Sequence, residues 1–256
     1  MNTIKLNNVS IGYGRKVVAE GISSTLCSGK LTCLLGVNGA GKSTLLRTLS
    51  AFQPALGGTI DINGRDICEM SPKERATTIS VVLTEKTDLQ NMTVRELVAM
   101  GRAPYTGFWG TMEQGDCNMV DEAMTLVGIT SLADRMIQTL SDGERQKTMI
   151  AKALAQHTPF IFLDEPTAFL DFPSKVEMMH LLKHLCREQD KAVIMSTHDL
   201  DIALQMADQL WLMNKDSGIT IGSPHELADS GDISAFVSNP HIHFNPSDFS
   251  FCLDYE

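Results

Sequence analysis

Residues 36–44, Gly36-Val37-Asn38-Gly39-Ala40-Gly41-Lys42-Ser43-Thr44, follow the spacing G-x-x-x-x-G-K-[ST]. Each residue type there suits the holding of a polyphosphate. Glycines let the backbone curl until its N–H groups converge on phosphate oxygens. A helix starting at the end of such a loop directs the positive end of its dipole at the same anion. Lys42 supplies a cation for β- and γ-phosphates, and the Ser43 hydroxyl suits a Mg²⁺ ion. A Gly-rich turn with a surface lysine has a similar composition, but here an apolar run precedes the loop and a helical pattern follows it.

A second constellation lies downstream. Phe160-Ile161-Phe162-Leu163-Asp164-Glu165 is four apolar residues followed by two carboxylates. An acid at the C-terminal end of a buried parallel strand sits at the ligand edge of an α/β sheet. Asp164 suits Mg²⁺ held through water, and Glu165 suits the polarising of an attacking water. The pattern alone is weak. Beside a phosphate loop it gains weight, because that chemistry requires an acid partner.

These residues need elements to hold them. Thr3 to Ser10 alternates loosely like a half-buried strand, and 17–26 reads as its antiparallel neighbour. Leu31–Leu35, Ile79–Leu83, Phe160–Leu163 and Ala192–Met195 read as buried strands. Ile60-Asp61-Ile62 is a short strand closed by the turn dipeptide Asn63-Gly64. Ser43 to Ser50 and 174–188 read as helices, and the latter links two strands as a βαβ unit. Trp211–Met213 and Ile219–Ile221 look like a closing hairpin. Between about 88 and 157 the pattern turns helical. Thr93…Glu96 and Ser141…Glu144 are capping-box candidates, and 116–128 carries apolar residues at helical spacing.

The stretch Thr139-Leu140-Ser141-Asp142-Gly143-Glu144-Arg145-Gln146-Lys147 resembles the Leu-Ser-Gly-Gly-Gln signature of ATP-binding-cassette (ABC) ATPases. Further elements follow the order of that family. Tyr13 matches an aromatic that stacks on adenine. Ala168-Phe169-Leu170-Asp171 matches a loop that touches the opposite subunit, and His198 matches a switch histidine. The resemblance covers roughly residues 3–227. It implies an α/β fold: a P-loop NTPase (RecA-like) core with an N-terminal antiparallel β part and an inserted α-helical subdomain. On that plan 1–87 and 158–227 are the nucleotide-binding core, 88–157 the helical subdomain, and 228–256 a tail. The tail's Phe244, Phe249 and Phe251 are expected to pack on the body or on a twin subunit.

The resemblance also implies half of a composite site. Tyr13 and the loop residues Asn38, Gly39, Ala40, Gly41, Lys42, Ser43 and Thr44 would hold ATP. Lys42, Glu165 and His198 would be catalytic, with Ser43, Asp164 and Glu85 near Mg²⁺. Ser141, Asp142, Gly143, Glu144 and Asp171 would face the ATP of a second copy, in a head-to-tail homodimer that closes on ATP.

Two positions depart from the family form. Asp142 stands where the first signature glycine is usual, with Arg145 at i+3 as a candidate partner. Glu85 aligns with a position usually glutamine. Thr84 fills it instead if the register shifts by one.

A single cassette with no fused membrane span and no long coiled-coil insertion fits a transporter subunit that docks on a polytopic permease. Met100-Gly101-Arg102-Ala103-Pro104-Tyr105 resembles a Gly-Arg-x-Pro-(His or Tyr) sequence in ATPases of the iron-siderophore, haem and cobalamin importer group. Tyr105, Phe108 and Trp109 in that Gly/Pro-rich region are the expected permease-docking aromatics. A substrate-binding protein would then be an indirect partner, and the location the cytoplasmic face of the inner membrane. The competing expectations are a soluble ABC ATPase of a scaffold complex, such as iron–sulfur assembly, and a P-loop kinase or GTPase. The ordered signature and switch histidine argue against the latter.

Composition sets the outer bounds. The chain has 256 residues with 43% hydrophobic and 20% charged, which is ordinary globular usage. Its formal net charge of −10 excludes a design for non-specific nucleic-acid binding. Six cysteines form no C-x-x-C pair and read as reduced thiols. The N-terminus carries no signal-peptide pattern, and no apolar run approaches the ~18 residues of a membrane span. His180 and His184, at i,i+4, read as a solvated helix face. His241 and His243 near Cys252 read as parts of a polar tail.

Overall fold

Side chains alternate sides along a strand, so a strand buried on both faces must feed two cores. In the computed structural model, which describes residues 1–83, 90–107, 110–214, 218–237, 239 and 241–253, the central strands do this. The chain opens with β1 (Thr3–Tyr13), β2 (Lys16–Cys27), β3 (Leu31–Gly36), α1 (Lys42–Leu49), β4 (Gly57–Ile62) and β5 (Arg65–Asp66). It continues through α2 (Pro72–Thr78), β6 (Ile79–Val82), α3 (Val94–Ala99), α4 (Gln114–Leu126) and α5 (Asp142–Ala155). Then come β7 (Phe160–Asp164), α6 (Phe172–Gln189), β8 (Ala192–Thr197), α7 (Leu200–Met206), β9 (Gln209–Asn214) and β10 (Gly218–Gly222). The chain closes with α8 (Pro224–Asp229), α9 (Asp232–Val237), β11 (Ile242–Asn245) and β12 (Ser250–Leu253).

The main sheet has the order β10-β9-β3-β8-β7-β6. Its pairs are parallel except the β9–β10 hairpin. A smaller antiparallel sheet, β2-β1-β4-β5, lies over one face. Phe160 and Phe162 of β7, Ile194 of β8 and Trp211 of β9 point into the core shared with that sheet and α1. Their sequence neighbours Ile161, Leu163, Val193, Met195 and Leu212 point into the other core, which is covered by α3 to α6. One continuous apolar run per strand therefore supplies both layers.

The expected strands stand where periodicity placed them, with ends moved by one to three residues. Asn63 and Gly64, at φ 52° and 85°, make the tight β4–β5 turn. Between 90 and 157 the described residues form α3, α4, α5 and short 3₁₀ turns, joined by one isolated bridge, Thr93 to Met136. The helices α2, α7, α8 and α9 and the β11–β12 hairpin are additions to the sequence reading. Two of them carried a legible start signal: Ser71 and Ser223 each begin a Ser-Pro-x-Glu box that caps α2 and α8. The tail packs on the body. Phe244, Phe249 and Phe251 lie against the helix-side core, and Phe249 meets the His225 ring edge-on at 4.8 Å.

Candidate functional site

The site gathers where β3, β8 and β7 end, side by side at one edge of the sheet. β3 delivers Gly36 into the phosphate loop, and α1 begins at Lys42. Gly41 caps that helix with φ 109°, and a Cβ there would come within 2.3 Å of Val18 Cγ1. Only glycine satisfies both the left-handed backbone and the close approach. Lys42 is 6% exposed, and its Nζ donates to the Gly36 carbonyl at 2.7 Å. The ammonium is thus folded back onto the start of the loop. Asn38 and Gly39 are exposed at the loop crest, and Ala40 is buried beneath. Thr44 Oγ1 donates to the Tyr13 hydroxyl at 2.9 Å. Tyr13, at the end of β1, is half exposed beside the start of α1, as a face for a planar ring requires.

The acid pair lies on the neighbouring strands. Asp164 ends β7, is 1% exposed, and pairs in register with Ser196 of β8. Ser196 Oγ donates to Asp164 Oδ1 at 2.5 Å and accepts from the Glu165 N–H at 2.9 Å. Glu165 itself has φ 51°, a left-handed conformation that costs a non-glycine residue on the order of 1 kcal/mol. This turn swings its carboxylate out of the strand direction. Glu165 Oε1 then lies 3.8 Å from Lys42 Nζ and 3.9 Å from His198 Nδ1. His198 is mostly exposed and so free to meet a ligand. The next residue, Asp199, is held by Lys175 of α6 at 3.0 Å and by the Thr167 hydroxyl at 3.4 Å.

The signature segment opens α5. Ser141 and Glu144 form a full capping box, with Ser141 N–H donating to Glu144 Oε2 at 2.8 Å. The Ser141 N–H and hydroxyl, helped by Arg135, hold the Glu144 carboxyl below its ordinary range. Asp142 is exposed in the first helical turn. The expected Asp142–Arg145 pair does not form: Arg145 turns back and donates weakly to the Ile137 carbonyl at 3.5 Å. Arg135, from the preceding turn, pairs with Glu144 at 3.1 Å instead. Gly143 packs against Phe169 and Leu170 of the loop that leads to Asp171. Asp171 caps α6 by accepting from Ser174 N–H at 3.0 Å, and the Ser174 hydroxyl, together with that N–H, draws its carboxyl below the usual range. Phe169 and Phe172, flanking Asp171, are 67% and 69% exposed. Among the described residues, no hydrogen bond or ion pair joins 141–144 to 36–44.

Glu85, the alternative Thr84, and the docking candidates Phe108 and Trp109 lie outside the described residues. Tyr105 is 40% exposed, its hydroxyl donates to the Gln156 carbonyl at 2.9 Å, and the Arg102 guanidinium sits 4.0 Å over its ring. Sequence reasoning overlooked Gln146, whose amide reaches the Glu165 carbonyl at 3.5 Å, and Ser196. For Ser196 a signal existed: a polar residue ends a buried apolar run two places before His198.

A glycine-capped loop at a helix start, a buried lysine and strand-end acids suit cleavage of a nucleoside triphosphate, and the fold places this molecule among the P-loop NTPases. The family is narrower still. The sequence pattern of the ABC transporter family matches residues 19–168, and the chain belongs to that family. It is therefore an ATP-binding ATPase of the kind that powers transport. The Escherichia coli ferric enterobactin transport ATP-binding protein is 37% identical over 219 residues, 86% of this chain and 81% of that one. The Bacillus subtilis iron(3+)-hydroxamate import ATP-binding protein is 35% identical over 227 residues, 89% and 84% of the two chains. An uncharacterized ABC transporter ATP-binding protein of Methanocaldococcus jannaschii is 40% identical over 88% of this chain and 77% of that one. Among solved structures, a metal-chelate type ABC transporter in an inward-facing conformation superposes with a TM-score of 0.83. Its sequence is 25% identical, and the match covers 100% of this chain and 99% of that one.

Proposed function

We propose that this chain hydrolyses ATP to energise the import of an iron chelate, of the ferric-siderophore class, through a membrane permease. The observation that carries the hydrolysis is the Glu165 carboxylate, held between Lys42 and His198 at the mouth of the phosphate loop. The cargo class is supported by relatives whose names specify ferric enterobactin and iron hydroxamates. Haem and cobalamin are related cargoes within the same reading. The relatives are transport proteins, so a scaffold role in iron–sulfur assembly is not the favoured alternative.

In this reading the loop amides and Lys42 bind the β- and γ-phosphates, and Tyr13 stacks on adenine. Glu165 takes a proton from the attacking water, and His198 orients that water and the γ-phosphate. The hydroxyl of Ser43 and the carboxylate of Asp164 are hard oxygen donors, and Asp164 is buried at the strand end, so the donor set fits Mg²⁺. When bound, that ion neutralises phosphate charge. Glu85 is a further candidate donor.

The signature of one copy, residues 141–144, and Asp171 would complete the site of a second copy in a homodimer. The exposed Phe169 and Phe172 beside Asp171 support an interface there. The segment 88–157 would act as a helical subdomain against a core of 1–87 and 158–227, with 228–256 as a tail. Permease docking would use Tyr105, Phe108 and Trp109. Beside Tyr105's partner Gln156 opens a cavity of about 320 Å³, lined by Phe52, Pro72, Arg75 and Lys152, which supports docking on this side. Among the described residues no helix is long and apolar enough to cross a membrane. In this reading the chain would sit at the cytoplasmic face of the inner membrane, attached through the permease.

The test is uptake of ferric siderophores, haem and cobalamin by a strain lacking this protein, complemented with wild type or Lys42→Ala. Restoration of ferric-siderophore uptake by wild type alone is expected. Restoration of none, with the purified protein still an ATPase, would overturn the cargo assignment.

A further inference from the structure

We propose that Ser196 is a positioning residue for hydrolysis, whose hydroxyl locks the Asp164–Glu165 pair into its working geometry. The inference rests on the reading of Glu165 as general base. Ser196 is fully buried on β8, and the parallel register sets it opposite Asp164. A hydroxyl has one proton to give and lone pairs to accept with. Ser196 gives its proton to Asp164 Oδ1 and accepts the N–H of Glu165. One oxygen therefore ties two consecutive acids that must serve one site.

The need for such a tie follows from the backbone. A strand would send residues 164 and 165 to opposite faces of the sheet. The left-handed turn at Glu165, φ 51°, redirects it, and such conformations persist only where surroundings over-determine them. The Glu165 N–H is the donor exposed by that turn. Without Ser196 it would lose that acceptor, and the turn would be free to relax toward the strand. The carboxylate would then leave the point 3.8 Å from Lys42 and 3.9 Å from His198. A shift of about an ångström at a reacting group is enough to cost about 10²-fold in rate. At the same time Asp164 loses a bond that fixes its rotamer. Among the described residues no hydrogen bond joins Ser196 to the phosphate loop or to His198, so its removal should spare ATP binding.

The experiment is steady-state ATPase kinetics with ATP-dependent dimerisation, on Ser196→Ala, Ser196→Cys, Glu165→Gln and the Ser196→Ala/Glu165→Gln double variant. For Ser196→Ala, kcat should fall at least tenfold, with KM for ATP within about threefold of wild type. It should also accumulate an ATP-bound dimer on size-exclusion chromatography, which a misfolded or non-binding protein would not do. The double variant should be no slower than Glu165→Gln, because the two residues act through one group. Ser196→Cys, of nearly the same shape but a weaker hydrogen-bonding atom, should lose activity in the same direction. It keeps the test open if the alanine variant does not fold. Wild-type kcat in Ser196→Ala or Ser196→Cys would overturn the proposal, as would loss of ATP binding together with hydrolysis. A Glu165→Gln variant that hydrolyses at the wild-type rate would instead overturn the assignment of the general base.

Discussion

Glu165 combines a left-handed backbone with a carboxylate facing both a lysine and a histidine. Replacing it by glutamine keeps shape and removes the basic oxygen. General-base contributions are ~10²–10⁴-fold, so Glu165→Gln should lose about that much kcat while still binding ATP, and should persist as an ATP-bound dimer. A variant that eluted as a monomer with saturating ATP would count against the composite site. Asp142 poses the opposite question. An acid in the first turn of α5 favours the helix by about 0.5 kcal/mol, yet it adds negative charge to a surface proposed to meet phosphate. Asp142→Gly should therefore tighten ATP-dependent dimerisation while slightly lowering the melting temperature. Weaker dimerisation would show that Asp142 makes a favourable contact across the interface.

At the scale of elements, four helices share one device. Helices α2, α3, α5 and α8 each begin with a Ser or Thr whose hydroxyl and N–H bond reciprocally with a Glu three residues on. Helices as short as α2, α3 and α8 are marginal alone, so a cap adds to what packing supplies. The bonds from Ser71 and then Arg65 lower Glu74 from 4.5 to about 2, and Glu96, Glu144 and Glu226 are lowered for the same reason. The folded values lie below the unfolded ones. The stabilisation is therefore complete above the unfolded value and is lost as pH falls through the folded ones. The urea midpoint should hold from neutral pH to about 5 and then decline toward pH 2. Glu74→Gln should flatten part of that decline, and an unchanged slope in denaturation curves would refute the role of the cap. Ser71→Ala should cost about 1 kcal/mol in the same assay.

At the scale of the molecule, one sheet serves two cores, and the tail closes the one on the helix side. Phe249→Ala would remove a half-buried ring and its edge contact with His225, at a cost of about 1–3 kcal/mol. Thermal unfolding should register that loss while KM for ATP stays unchanged, because the hairpin packs on α8, α9 and the helix-side core rather than on the phosphate loop. A change in KM would reveal coupling between tail and site.

Much of this was legible in the residues themselves. The phosphate loop, the capping boxes, the acid pair after four apolar residues and the Asn63-Gly64 turn are local patterns, each set by interactions within a few positions of the chain. The Phe160–Leu163 run announced a buried strand but not which neighbour it would take. Strand order β3-β8-β7 is a choice among non-local pairings, each paid for in loop closure and recovered in shared core. That choice put Ser196 beside Asp164 and set Glu165 within 3.9 Å of both Lys42 and His198. It also decided what Arg145 could not reach. Chemistry was written in residue types, and the tertiary structure alone determined which of them meet, because the parallel sheet brings together strand ends that lie far apart in the chain.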